Sequence, residues 1–137
     1  MNREELNFYL QQADLRGVAD LSHRIEAEQQ VLLIQKPMAQ TLLLPVQDPV
    51  ASGSFYGGEI LVTSVIVRVN GCDGWAMVMD EEEDLAFHIA VLDGAWAAGL
   101  ERSAIEQLAW QGRVGHEQRC REQAAEIDKT RVSFDLM

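Results

Sequence analysis

The residues best suited to chemistry are an unbroken acidic run, Asp80-Glu81-Glu82-Glu83-Asp84, a Gly57-Gly58-Glu59 triplet, and two histidines, His88 and His116. Clustered carboxylates offer the oxygen ligands that magnesium prefers, often shared with a phosphate. The same acids fit the first turn of a helix, with Asp80 as N-cap and Glu83 as its capping-box partner; acids are common at helix starts, so this structural reading comes first. Paired glycines can bring backbone N–H groups close to a phosphate. The G-x-x-x-x-G-K-[ST] spacing is absent, however, which excludes a nucleotide loop of that type and favours a bend or bulge entering a strand. His88 has no converging partner in the sequence and reads as a packed side chain. His116 and Cys120 stand four residues apart on one helical face, which is two ligands and not a structural metal site. No nucleophile-elbow motif or Ser-His-Asp order occurs.

These residues hang on elements that the hydrophobic pattern lays out. Asn2 with Glu5 forms a capping-box pattern, and Leu6, Tyr9, Leu10 and Ala13 share a helical face. Leu15, Val18, Ser22 and Ile25 repeat that spacing in a second helix ending near Glu28. Val31–Gln35 and Thr41–Val46 read as two short strands joined by a turn at Pro37, with Pro45 marking an edge or bulge. Ile60–Val69 is apolar on both faces and therefore belongs inside a sheet with cover on each side. After Asn70–Gly74, Trp75–Met79 returns antiparallel. A helix follows the acidic run, with Leu85, Ile89, Leu92 and Trp96 on one face and Gly99 as its stop. Ser103 with Glu106 opens another helix whose later part, His116–Gln123, is nearly all polar. Arg131–Met137 alternates like a strand that could add to a neighbour's sheet, or is a loose tail. The expected fold is α+β: an antiparallel, roughly four-stranded β-meander with N-terminal helices and two C-terminal helices. Residues 1–137 are expected to form one domain, with a helical part over 1–28, the sheet over 31–79, helices over 80–128 and the tail over 129–137.

Composition limits the partners. Eleven Lys and Arg against 22 Asp and Glu give a net charge of −11, which disfavours nucleic acid. No secretory or membrane-spanning segment is legible, so a cytoplasmic location is expected. Cys72 and Cys120 support neither a disulfide framework nor a zinc motif. Trp75, Trp96 and Trp110 read as core or interface anchors.

Several segments in order resemble the PhnG family, a subunit of the bacterial carbon–phosphorus lyase system: Lys36-Pro37 leading into Thr41–Val46, Phe55–Thr63 (FYGGEILVT), Leu92–Ala95 (LDGA) and Ala125–Phe134 (AEIDKTRVSF). The acidic turn and Phe87 after Ala86 depart from the family pattern. The resemblance marks Gly58, Glu59, Thr63, Asp93, Arg131 and Phe134 as candidate site or interface residues. It implies a subunit of a transferase complex that displaces adenine from ATP with a phosphonate, giving α-D-ribose 1-methylphosphonate 5-triphosphate. It further implies partners of the PhnI, PhnH and PhnJ types, with ATP and magnesium used by the complex and neither assigned to this chain. Because the chain is poor in cations, its role is expected to be scaffolding, inactive alone, with the main active site on a partner. The alternative is a stand-alone binding domain with a pocket between helices and sheet.

Overall fold

A computed structural model describes residues 1–50 and 53–135, with side chains described as far as Lys129. The first helix, α1 (Arg3–Gln11), starts where Asn2 accepts the Glu5 N–H at 2.8 Å and Glu5 accepts the Asn2 N–H at 3.3 Å, the reciprocal box expected. The next, α2 (Leu15–Glu28), is capped by Asp14 and buries Val18, Leu21, Ser22 and Ile25.

Three antiparallel strands follow: β1 (Val31–Gln47), β2 (Ser54–Val69) and β3 (Cys72–Met79), in the order β1-β2-β3. The two short strands expected over 31–35 and 41–46 are one strand of 17 residues, so the described sheet has three strands where four were expected. Pro37 does not turn the chain. It falls within a register shift between Gln35 and Met38, and Pro45 follows another after Leu44. Because β1 is an edge strand, a proline there removes no ladder donor that the sheet requires.

The helix α3 (Glu83–Ala97) is the centre of the molecule. It packs on β2 and β3, lies against α2, and touches α1 and α4 (Arg102–Asp135). Its buried residues, Ala86 and Ile89 through Ala95, go all the way round, where one apolar face was expected. The helix approaches β3 so closely that a Cβ on Gly74 would fall on the Ala90 carbonyl oxygen, and one on Gly94 would meet Val69 Cγ2 at 2.9 Å. It ends in a Schellman turn: Gly99 sits at φ 79°, with Leu100 N–H to Ala95 C=O at 2.8 Å and Gly99 N–H to Trp96 C=O at 3.1 Å.

Three other expectations change. The second sheet face carries Leu32, Met38, Trp75 and Met79 and stays open, because the helices reach the described sheet through α3 and, at the β3 edge, α1. The stretch read as a terminal strand continues α4 to Asp135. A strand needs a partner for its backbone groups, whereas a helix satisfies them locally. Glu106, read as a capping partner of Ser103, instead accepts from Trp96 Nε1 at 3.1 Å.

Candidate functional site

Asp93 is a buried carboxylate with both of its oxygens engaged. It is 3% exposed, and α3 aims it at the outer edge of β3. One oxygen accepts from Arg3 Nε at 3.1 Å; the other accepts from Arg3 Nη2 at 2.7 Å and from the Trp75 N–H at 2.9 Å. Arg3 also donates to the Asp73 carbonyl at 2.8 Å, and the Asp93 hydrogen bond holds its guanidinium above the ordinary arginine value. Further along the same edge, Asn7 donates to the Trp75 carbonyl at 2.7 Å and Gln11 to the Met77 carbonyl at 3.0 Å. Side chains of α1 and α3 thus occupy edge groups that a fourth strand would otherwise take. With both oxygens engaged, Asp93 ties α1, α3 and β3 together.

Thr63 does a comparable task where β3 gives way to α3. Fully buried, its hydroxyl donates to the Asp80 carbonyl at 2.7 Å and accepts the Glu82 N–H at 3.1 Å. Asp80 itself stands at φ 67°, outside the helix, and the N-cap position falls to Glu82, whose side chain makes no capping bond. The expected Asp80–Glu83 capping box is therefore replaced by a hydroxyl from β2. The side chains of Glu81, Glu82, Glu83 and Asp84 line an open surface depression. Among the described residues no three His, Cys, Asp or Glu side chains converge to hold a metal ion.

Gly58 and Glu59 lie on the outer part of β2, opposite Leu44 and Leu43. That part extends past the last β2–β3 pair, Val62 with Met79. Along β3, Trp75 and Met79 are four residues apart, roughly 13 Å at strand rise, so Asp93 and Glu59 belong to opposite ends of the sheet. Arg131 and Phe134 fall on the last turns of α4, and their side chains lie outside the described residues.

The sequence model described as "Phosphonate metabolism protein PhnG" matches residues 1–137. The chain belongs to the PhnG family. No curated protein matches it. In this PhnG family member, the Leu92–Ala95 segment combines the Asp93 tie with the Gly94 close approach, and the Phe55–Thr63 segment runs from the exposed arm to the Thr63 cap. No helix of the described residues is long and apolar enough to cross a membrane.

His88 lies half-buried on α3. Its Nδ1 is 2.9 Å from Ser22 Oγ, and its ring meets His23 edge-on at 4.9 Å, while His23 Nδ1 stands 3.3 Å from Glu26. Burial first, then the neighbouring His23, pushes His88 below the ordinary imidazole value. His116 and Cys120 approach to 3.6 Å, and the His116 ring also packs edge-on against Phe8 at 5.0 Å. Arg3, Asn7 and Gln11 were not singled out from sequence. Asn7 and Gln11 were detectable as a polar i, i+4 pair beside the apolar stripe of α1.

Proposed function

We propose that this PhnG-family chain is the assembly subunit of a phosphonate-activating complex whose main active site lies on a partner. The reaction of that complex is substitution at the anomeric carbon of ATP. A phosphonate oxygen forms the new bond to C1′ as the C1′–N bond breaks, adenine leaves with the electron pair and takes up a proton, and the product is α-D-ribose 1-methylphosphonate 5-triphosphate. Charge develops towards an oxocarbenium ion, so the site must hold a triphosphate with cations and supply a proton donor.

The observation that carries the proposal is the outer part of the β1–β2 hairpin. Leu42, Leu43, Leu44, Val46, Phe55 and Tyr56 there are between 38% and 70% exposed. Exposed apolar side chains concentrated on both faces of one arm fit a surface that another protein covers. Four of the eleven Lys and Arg, namely Arg3, Arg24, Arg68 and Arg113, are each paired with a carboxylate of this chain, which leaves fewer to hold a triphosphate.

The test is co-expression with PhnI-, PhnH- and PhnJ-type subunits, affinity purification through this chain, and mass determination of the eluate. Co-elution in a fixed ratio, with adenine released from ATP and phosphonate by the complex and not by this chain alone, is the expected result. Elution alone, with the partners folded and present, would overturn the proposal.

A further inference from the structure

The two free edges of the sheet are protected unequally. The outer edge of β1 carries Pro37 and Pro45, which blunt it against further pairing. The edge of β3 is occupied by Asp93, Asn7 and Gln11. Beyond β3 the situation changes. The Asp80 N–H bonds the Leu61 carbonyl at 2.8 Å, and Asp80 then turns the chain away into α3. From Ser54 to Ile60, β2 continues with β1 on one side and, among the described residues, no strand on the other. Strand backbone groups alternate in direction, so Glu59, two residues from Leu61 and with no register shift between them, points its N–H and C=O at that bare edge. An exposed edge of this kind is a template for pairing with another chain.

The bare edge opens onto a groove of about 460 Å³ at the end of β3, lined by Phe8, Leu42, Ile60, Val62, Met77 and Met79 among others. A segment continuing the line of β3 would run antiparallel to β2 and lay alternate side chains over this groove. Its remaining side chains would meet Glu59 and the carboxylates of Glu81–Asp84. We infer that the free β2 edge over Ser54–Ile60 takes an extended segment of a different polypeptide, one that alternates apolar with basic side chains. Charge selects the occupant: a second copy of a chain with net charge −11 would bring like charge to this rim. The inference rests on the subunit reading and specifies its contact surface.

The test uses the full chain co-expressed with the PhnI-, PhnH- and PhnJ-type subunits, comparing wild type with two variants. Glu59→Pro removes an edge donor that β1 does not use, and Met79→Glu places charge in the groove at a side chain already 59% exposed. Each is expected to weaken capture roughly tenfold or more while circular dichroism and thermal unfolding of the isolated chain stay close to wild type. Amide exchange at Glu59 is expected to slow in the wild-type complex relative to the free chain. Should Glu59→Pro fail to fold, Met79→Glu and the Glu59 amide decide. Partner capture by both variants within about twofold of wild type, or an unchanged Glu59 amide in an intact complex, overturns the edge and leaves the subunit reading standing. Failure of the wild type to capture any partner overturns the subunit reading and this inference with it. Self-association of the free wild type that Glu59→Pro abolishes would overturn the choice of occupant.

Discussion

Replacing Asp93 with Ala tests whether the fold depends on the carboxylate tie. The substitution removes the acceptor for three N–H groups, and the three do not cost the same. The Arg3 side chain is 47% exposed and can turn to water, so losing its two bonds is a discounted loss. The Trp75 N–H faces α1 and α3 on a covered edge, and leaving it unsatisfied costs about 1–3 kcal/mol. A total near 3 kcal/mol corresponds to roughly 10 °C in Tm for a chain of this size. Thermal and urea unfolding followed by circular dichroism measure it. Asp93→Asn, which keeps an acceptor for Trp75 but not the charge, should lose about half as much. A double-mutant cycle with Arg3→Ala should return a coupling of about 1 kcal/mol, since the partners touch. Loss of less than about 1 kcal/mol in Asp93→Ala, or strict additivity in the cycle, would refute the idea that this carboxylate holds α1 and β3 to α3.

Thr63→Val removes the hydroxyl that caps α3 and leaves the Asp80 carbonyl and Glu82 N–H without it; a loss of about 1–2 kcal/mol is expected in urea titration, with Thr63→Ser close to wild type. Gly74→Ala drives a methyl into the Ala90 carbonyl and should cost more than about 3 kcal/mol or prevent soluble expression, whereas Gly58→Ala meets open space and should stay within about 1 kcal/mol, both read by thermal unfolding. The pH dependence centres on His88, which is faced by His23, Glu26 and Asp84. Its folded value lies below the unfolded one of about 6.5, so the unfolded chain binds a proton there that the folded chain refuses. Stability should be complete above about pH 6.5 and fall as pH drops through it, and His88→Asn should flatten that slope in unfolding measured between about pH 5 and pH 8.

What the sequence disclosed was mostly local. The Asn2–Glu5 box, the end of α2 at Glu28 and the Gly99 stop depend on neighbours a few residues apart and appear where the pattern places them, and the strand over Ile60–Val69 is there too, although it starts earlier, at Ser54. What it did not disclose depends on residues brought together from far along the chain. Pro37 reads as a turn until β1 is known to be an edge strand. Asp80 reads as an N-cap until a hydroxyl 17 residues earlier is seen to take that place. Gly112 interrupts the apolar spacing of α4, and the reason lies far away in sequence: a Cβ there would strike the Tyr9 carbonyl oxygen, so the glycine is where α4 crosses α1.

The same distinction separates the candidate site residues by what they do for the chain itself. Thr63 and Asp93 are buried, and their polar atoms are fully engaged within the molecule, so substituting them should be read first as a stability experiment. Glu59 and the outer hairpin residues bury little within the chain, so their substitution leaves folding largely intact. Sequence order mixes the two groups, since Glu59 and Thr63 stand four residues apart on one strand. They part at Val62, where β3 ends: towards Val69 the strand is covered by α3, and towards Ser54 it leaves the body. An assembly defect in a Thr63 or Asp93 variant would therefore follow loss of fold. A defect at Glu59 or Met79 with unchanged Tm would report contact with a partner.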